Sequence, residues 1–586
     1  MCRWCNNSQI FHRLTEGLTP EAPTRRQFMS YAVSTGAAVA GLTASRRASA
    51  AGGADVIFRN GVILPMAGAQ RSVEALAIGG GKILAAGSAA DVSGLTGATT
   101  RIVDLQGRTA LPGLIDPHHH TVLCALIAEL TIDVGYLKFP GRADVIAALK
   151  AAAQTTPPGQ WIKAAKFDNL LQGGDLQMSD LDAISTEHPI FVWYGNGHEA
   201  AANGMALQTA KIPPDIGDLP AGGRFGRGPD GKLNGLIFEE SAVLRVLSVA
   251  LPPLSPELMA KAVTTYTRQV AALGNTTLHE PGTIKAEWVA GLAKLSNELD
   301  IRLSAALSSD EIEAGKAFTS LGPGATARRI PDSRFSLYGI KFWADGSNQI
   351  ETAAQSEPYL RSALKGNANY SVAQMADICR AAKAADWPIM VHCHGDEAIE
   401  DVLDAIEQGY GAHPSTGLNL LQHATMTRQD QIERMKRLGV EPSLHPNLLN
   451  FYGAAYRDEI FGPERAAFAV PAGACVKAGV AFSAHTDGPT SPMGSLRLAQ
   501  VLVTRRCSID HSVIGRDQAV AIDDALRAIT INAARHIGLG EAIGTLEAGK
   551  EADLTILESD PYQTDPEKLS AIKVSETWVA GEKKFG

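Results

Sequence analysis

Cysteine is scarce, with seven in 586 residues: Cys2, Cys5, Cys124, Cys379, Cys393, Cys475 and Cys507. Cys2 and Cys5 form a CxxC with no second pair and no nearby His, which is a weak metal signal. The other five are an odd number without framework spacing. Disulfides are therefore excluded as the source of stability, and most of these thiols are expected as buried apolar side chains. Long apolar runs are lacking too: the N-terminal small-residue stretch, Ser30 to Ala44, is broken by Ser34, Thr35 and Gly36, which argues against stable membrane insertion. There is no excess of positive charge. The first fifty residues hold six Arg against two Glu, net +4, which leaves −13 on the remainder of a chain of net −9. Such a remainder repels phosphate backbones and anionic lipid surfaces, so nucleic acid is not an expected partner. No internal repeat is evident. What is present, 45% hydrophobic and 20% charged residues with 57 Gly and 30 Pro, is the composition of an ordinary soluble globular chain.

Thr24-Arg25-Arg26-Gln27-Phe28-Met29, the small-residue stretch after it, and Ser45-Arg46-Arg47-Ala48-Ser49-Ala50 together resemble a twin-arginine export signal with an Ala-x-Ala cleavage site. Residues 1–50 are read as that signal. The mature chain is then expected to be periplasmic or secreted, exported already folded by the twin-arginine machinery. Loading of a cofactor in the cytoplasm would explain the route.

Short strand-like pieces follow: Asp55 to Phe58, Ala75 to Ile78 and Lys82 to Ala85, with turns at Asn60-Gly61 and Gly79-Gly80-Gly81. Ala552 to Leu557 and Val574 to Val579 read the same way. Neither end has enough strands for its own core, so residues 54–111 and 538–586 are expected to pair into one composite β-sandwich. Residues 112–537 alternate differently. Apolar runs ending in polar residues are followed by helical patterns, as in Asp396 to Gly409, where Ile399, Val402, Leu403 and Ile406 recur at i, i+3, i+4 and i+7. Ser255-Pro256-Glu257 opens a second helix, and a third runs from Thr427 to Gly439. This is an α/β pattern, and the number of units favours a (β/α)₈ TIM-like barrel over an open sheet. A Pro- and Gly-rich stretch, Ile212 to Gly235, does not fit the alternation and marks an insertion around 205–250, either a lid or a surface excursion.

Nine of the fifteen His (118, 119, 120, 279, 392, 394, 423, 445 and 485) lie at or just past the ends of apolar runs, where a barrel collects catalytic side chains. In Asp116-Pro-His118-His119-His120 the first and last His project to one side of an extended chain and can grip one metal, while His119 points away. His392 and His423 end two further strands, and Asp487 follows a third. Lys341 ends another apolar run. Buried beside cations it would lose its charge, and its neutral amine can take up carbon dioxide to form a bridging carbamate. Two metals held by four His, that bridge and Asp487 would share a hydroxide.

His118-x-His120, Lys341, His392, His423 and Asp487, with Ile543-Gly-Thr-Leu-Glu-Ala-Gly549-Lys550-Glu-Ala-Asp553-Leu near the C-terminus, resemble the amidohydrolase superfamily. His392-Cys-His-Gly395-Asp396, Lys341-Phe-Trp-Ala-Asp345-Gly346 and Gly197-His198 followed by Asn203 look more narrowly like its YtcJ-like, N-substituted formamide deformylase branch. The resemblance covers about Ala54 to Gly586. It implies a metal-dependent hydrolase of carbon–nitrogen bonds other than peptide bonds, with His118, His120, Lys341, His392, His423 and Asp487 as ligands to one or two divalent ions. Zinc is the default for imidazole and oxygen donors. Four positions depart from the branch: His394 stands where an apolar residue is usual, Asn196 for Asp, Gln422 for Glu, and Ala484-His485-Thr486 for small residues.

In the implied reaction Asp487 takes a proton from the attacking water and returns it to the leaving nitrogen. His198 either holds the developing oxyanion or caps the chain structurally. Trp343, His394, His445 and His485 are candidate substrate contacts. Trp193, Tyr194, Phe342, Trp343, Phe451 and Tyr452 suggest a small-molecule substrate with an apolar portion, and each could equally be core. An ester or lactone hydrolase on the same frame, a one-metal aminohydrolase and a periplasmic binding protein that has lost turnover stay open, as does a homo-oligomeric state.

Overall fold

The computed structural model describes residues 53–586 apart from Ala69, 220–222, 252–253 and 412–416, so the export-signal segment lies outside the described residues. Eight parallel strands form a barrel in chain order: Leu114–Asp116, Asn275–Ile284, Arg302–Ser308, Phe335–Trp343, Ile389–Cys393, Asn419–His423, Val440–Leu444 and Ser483–Ala484. The polar-ended apolar runs are these strands, buried on both faces as parallel strands require. Among the described residues no ladder joins the eighth strand to the first. The chain just past them closes the ring: Asp487 N donates to His118 O at 3.0 Å, His120 N to Gly488 O at 3.0 Å, and Thr486 Oγ1 to Asp116 Oδ2 at 2.5 Å.

The helices follow their local signals. Asp396–Gly409 buries Ile399, Val402, Leu403 and Ile406, and Gln429–Leu438 buries Ile432, Met435 and Leu438 before Gly439 ends it at φ 65°, a left-handed cap that costs glycine nothing. In Pro256–Ala271 the Ser255 hydroxyl accepts from Leu258 N at 3.2 Å with Pro at the first position.

Both chain ends build one branched sheet of eight strands. Its order is Glu582–Phe585, Val574–Val579, Leu554–Leu557, Thr109–Pro112, Ala54–Ile63, Val73–Gly79 and Lys82–Gly87, with Thr96–Asp104 also paired to Ala54–Ile63. Phe58, Leu76, Ile78, Leu554, Ile556 and Trp578 share its core. Arg302 of the third barrel strand bridges the two bodies, donating to Asp553 at 2.7 and 3.0 Å, a bidentate pair that gives the C-terminal Gly549-to-Asp553 motif a structural task.

The insertion is larger than the Pro- and Gly-rich stretch. A separate sheet of six strands, in the order Arg224–Arg227, Leu233–Phe238, Glu199–Ala202, Ile190–Tyr194, Ile162–Phe167 and Ile132–Asp133, lies between the first and second barrel strands. Its first three strands in chain order are parallel, so their sequence pattern matches that of barrel strands. Tyr452, on the helix Asn447–Ala455 past the seventh barrel strand, donates to Asp168 of this layer at 2.5 Å. No helix among the described residues is long and apolar enough to cross a membrane.

Candidate metal centre

The C-terminal rim of the barrel brings together side chains from six of its strands. The Asp487 carboxylate sits among imidazoles, with Oδ1 3.1 Å from His118 Nε2 and 3.5 Å from His120 Nε2, and Oδ2 4.0 Å from His423 Nδ1. Ligand atoms of His118, His120 and Asp487 lie within 4.8 Å of one another, as do those of three overlapping groups: His392, His394 and His423; His118, His423 and His485; and His423, His445 and Asp487. All these residues are buried. The site fits a metal on its own evidence, because His423 Nε2 and His118 Nδ1 are buried and make no hydrogen bond, a costly state that a cation would relieve. Burial above all pushes His118, His394, His423 and His485 well below the ordinary histidine range, with the crowding of imidazoles on one another adding to it. The neutral imidazole this favours is the form that binds metal. His423 and Asp487 stand at φ 68° and 54°, left-handed conformations that β-carbon sterics disfavour and that the surrounding packing must hold.

Lys341 enters the cluster from the fourth strand, buried, with Nζ in close contact with Gln422 Oε1 and 5.5 Å from the Trp343 ring centre. Room for it comes from Gly282 on the second strand, at φ 85°, where an added Cβ would lie 2.0 Å from Lys341 Cβ. His392 Nε2 is 2.9 Å from Gly346 O, which decides the nitrogen left for a metal. His120 Nδ1 is 3.4 Å from Glu280 Oε1, so a carboxylate fixes that ring as well. Glu280 escaped the sequence reading, which took His279 from the same strand; His279 Nδ1 instead meets Ser304 Oγ at 3.0 Å. An acid next to a strand-end His was the available signal.

The extra imidazoles have defined neighbours. His394 stacks on His423 with ring centres 4.4 Å apart and its Nδ1 2.8 Å from Thr425 Oγ1. His485 stacks on His118 at 4.7 Å and puts Nε2 3.0 Å from His423 Nδ1. His445 Nε2 meets Ser491 Oγ at 3.2 Å. His119 is held by Tyr266 OH at 2.7 Å and Thr486 Oγ1 at 3.0 Å. Asp345 caps the fifth strand's exit by accepting from His394 N and Gly395 N at 3.0 and 2.8 Å.

His198 belongs to none of the four groups. It sits on the inserted layer, with Nδ1 3.1 Å from Glu239 Oε2 and its backbone N–H on Asn196 Oδ1 at 3.0 Å. Of the aromatic residues singled out, Tyr194 turns into the inserted layer's core against Phe167 at 4.8 Å, and Phe342 packs on Tyr370 at 6.3 Å. Trp343 lies beside a cluster side chain, its ring centre 5.5 Å from Lys341 Nζ.

A family model described as the amidohydrolase family matches residues 101–583. The chain is 25% identical over 542 residues to the N-substituted formamide deformylase of Arthrobacter pascens, covering 91% of this chain and 98% of that one. To the YtcJ protein of Bacillus subtilis, named an amidohydrolase, it is 24% identical over 540 residues, covering 90% and 98%. A solved metal-dependent hydrolase from Pyrococcus furiosus, 21% identical, superposes with a TM-score of 0.67 over 87% of this chain and all of that one. These matches bear out the branch to which the motifs pointed.

Proposed function

The chain belongs to the amidohydrolase family, and from that premise we propose that this metal-dependent hydrolase splits the C–N bond of a small N-substituted amide. The observation that carries the reading is the Asp487 carboxylate, within 3.1 to 4.0 Å of imidazoles from the first and sixth strands. His118, His120, His392, His423 and Asp487 would hold divalent metal, zinc by the preference of imidazole and oxygen donors, with Lys341 as a carbamate bridge. When bound, the metal lowers the pKa of its water towards neutrality and polarises the scissile carbonyl.

The chain's own residues do the rest. Asp487 is placed to accept the proton of the attacking water and pass it to the departing nitrogen, which leaves as an amine. Trp343, His394, His445 and His485 would be the side chains to meet the substrate, Trp343 beside Lys341 and the three imidazoles beside His423. Gln422 Oε1 touches Lys341 Nζ, and a neutral amide at that position brings no negative charge to stabilise an ammonium, as a carboxylate there would. A buried Lys341 with space cleared for it by Gly282 favours this reading over a one-metal aminohydrolase, which has no use for the lysine.

The test is hydrolysis of pooled N-substituted formamides, longer amides, esters and aminated heterocycles by purified protein, with and without chelator. Chelator-sensitive release of a free amine and a carboxylate, restored by Zn2+, is expected. Lys341→Ala should lose both metal and rate, with partial rescue by short carboxylates. Exchange of an amino group for oxygen on a heterocycle, or a Lys341→Ala protein with full metal and rate, would overturn the proposal.

A further inference from the structure

We infer that a continuous buried chain of hydrogen bonds, running from Glu441 through His536, Ser483, Ser443 and His485 to His423, fixes the tautomer in which His423 offers Nε2 to a metal. These are positioning residues, acting through one another, and the inference rests on the reading of His423 as a ligand.

The links are all short. Glu441 Oε2 is 2.9 Å from His536 Nε2, and His536 Nδ1 is 2.7 Å from Ser483 Oγ. Ser483 Oγ is 2.9 Å from Ser443 Oγ, which is 2.9 Å from His485 Nδ1. His485 Nε2 is 3.0 Å from His423 Nδ1. Alternation along the seventh strand puts Glu441 and Ser443 on one face at successive levels, and Ser443 is the register partner of Ser483 on the eighth. The chain therefore climbs inside the barrel from its floor, where the strands begin, to the rim. Between Glu441 and the cluster every member is at most 1% exposed, so bulk solvent does not compete for these links.

Direction follows from the ends. Hydroxyl protons rotate and a neutral imidazole has one N–H, so the whole row points one way or the other. A carboxylate only accepts. Glu441 is a carboxylate, because the permanently charged Arg535 guanidinium donates to its Oε1 at 2.9 Å. Burial keeps His536 low in turn, so its ring is neutral. Its one proton is therefore on Nε2, facing Glu441. Nδ1 of His536 must accept from Ser483, Ser483 from Ser443, and Ser443 from His485 Nδ1–H. His485 Nε2 then accepts from His423 Nδ1–H. The lone pair left over is on His423 Nε2, the buried nitrogen that makes no hydrogen bond. Run in reverse, the same row would put a proton on that nitrogen and close it to a metal. A ligand His commonly has its far nitrogen fixed by one carboxylate or carbonyl; here a distant carboxylate does it through four intermediaries.

The experiment is a 15N spectrum of imidazole-labelled, metal-free protein, paired with Zn2+ affinity by chelator competition, on wild type, Ser443→Ala and Glu441→Gln. Wild type should carry its protons on His423 Nδ1, His485 Nδ1 and His536 Nε2. Ser443→Ala should mix the His423 tautomers and weaken Zn2+ binding by about tenfold or more. Glu441→Gln, which keeps shape and hydrogen-bonding capacity but removes the one-way acceptor, should do the same with little change in thermal midpoint. A wild-type His423 protonated on Nε2, or native tautomers and Zn2+ affinity within about twofold in both variants, would overturn the inference. Wild type that binds no Zn2+ would defeat the hydrolase reading instead, and the metal-free spectrum would still decide the direction of the row.

Discussion

The core of the composite sheet and the interior of the barrel are equally dry and oppositely furnished. In the sheet, Phe58, Leu76, Ile78, Leu554, Ile556 and Trp578 are at most 1% exposed and pack on one another. In the barrel, His118, Lys341, His423, His485, Ser483 and His536 are just as buried. Apolar burial is non-directional and roughly additive in area, so the sheet core tolerates change in proportion to what is removed. A buried polar group needs its own partner in its own direction, so one change in the barrel propagates to its neighbours. The comparison teaches that burial does not say what a residue is for. The kind of loss does.

Variants can break or sharpen that contrast. The largest effect belongs to Asp487→Asn, which should keep most of the metal yet lower kcat by roughly 10²–10⁴, measured against metal content by mass spectrometry; an active variant would remove Asp487 as the proton carrier. Next comes Trp578→Ala in the sheet. Trp578 packs edge-on to Phe58 at 5.1 Å across the two chain ends, and its loss should cost about 3–5 kcal/mol in denaturant unfolding while Zn2+ affinity holds. Smallest is Glu280→Gln beside His120, expected to weaken Zn2+ about 10–100-fold with the unfolding midpoint nearly unchanged. A Glu280→Gln protein that unfolds easily but binds Zn2+ normally would place Glu280 with the sheet's kind of residue.

Residues whose role depends on neighbours in sequence were legible. A polar residue closing an apolar run announced the barrel strand ends at His118, Lys341, His392 and His423. The i, i+3, i+4 pattern announced the helix Asp396–Gly409. The short strands at both ends announced the composite sheet. Residues whose role depends on the closed barrel were not legible. Glu441 and His536 are 95 positions apart and neither ends a strand, so only the barrel's curvature makes them a pair. The inserted layer was located by its Pro and Gly but underestimated, because Ile162–Phe167 and Ile190–Tyr194 are parallel strands with the same apolar signature as the barrel's own. His198, which carries a family-like motif, sits on that layer with Nδ1 3.1 Å from Glu239 Oε2.

The joining of both chain ends in one sheet also has a consequence in time. Leu114 N reaches the Thr555 hydroxyl across 441 residues, and at ~5–20 residues per second of synthesis that partner arrives roughly 20 to 90 s later. Until then the Thr109–Pro112 strand, which pairs with Leu554–Leu557, presents a bare edge of the kind that recruits stray strands. The nascent chain therefore passes through a period in which a chaperone has something to hold. The arrival of the Leu554–Leu557 strand ends that period, so the sticky edge is lost only once a segment more than 440 residues downstream has been made.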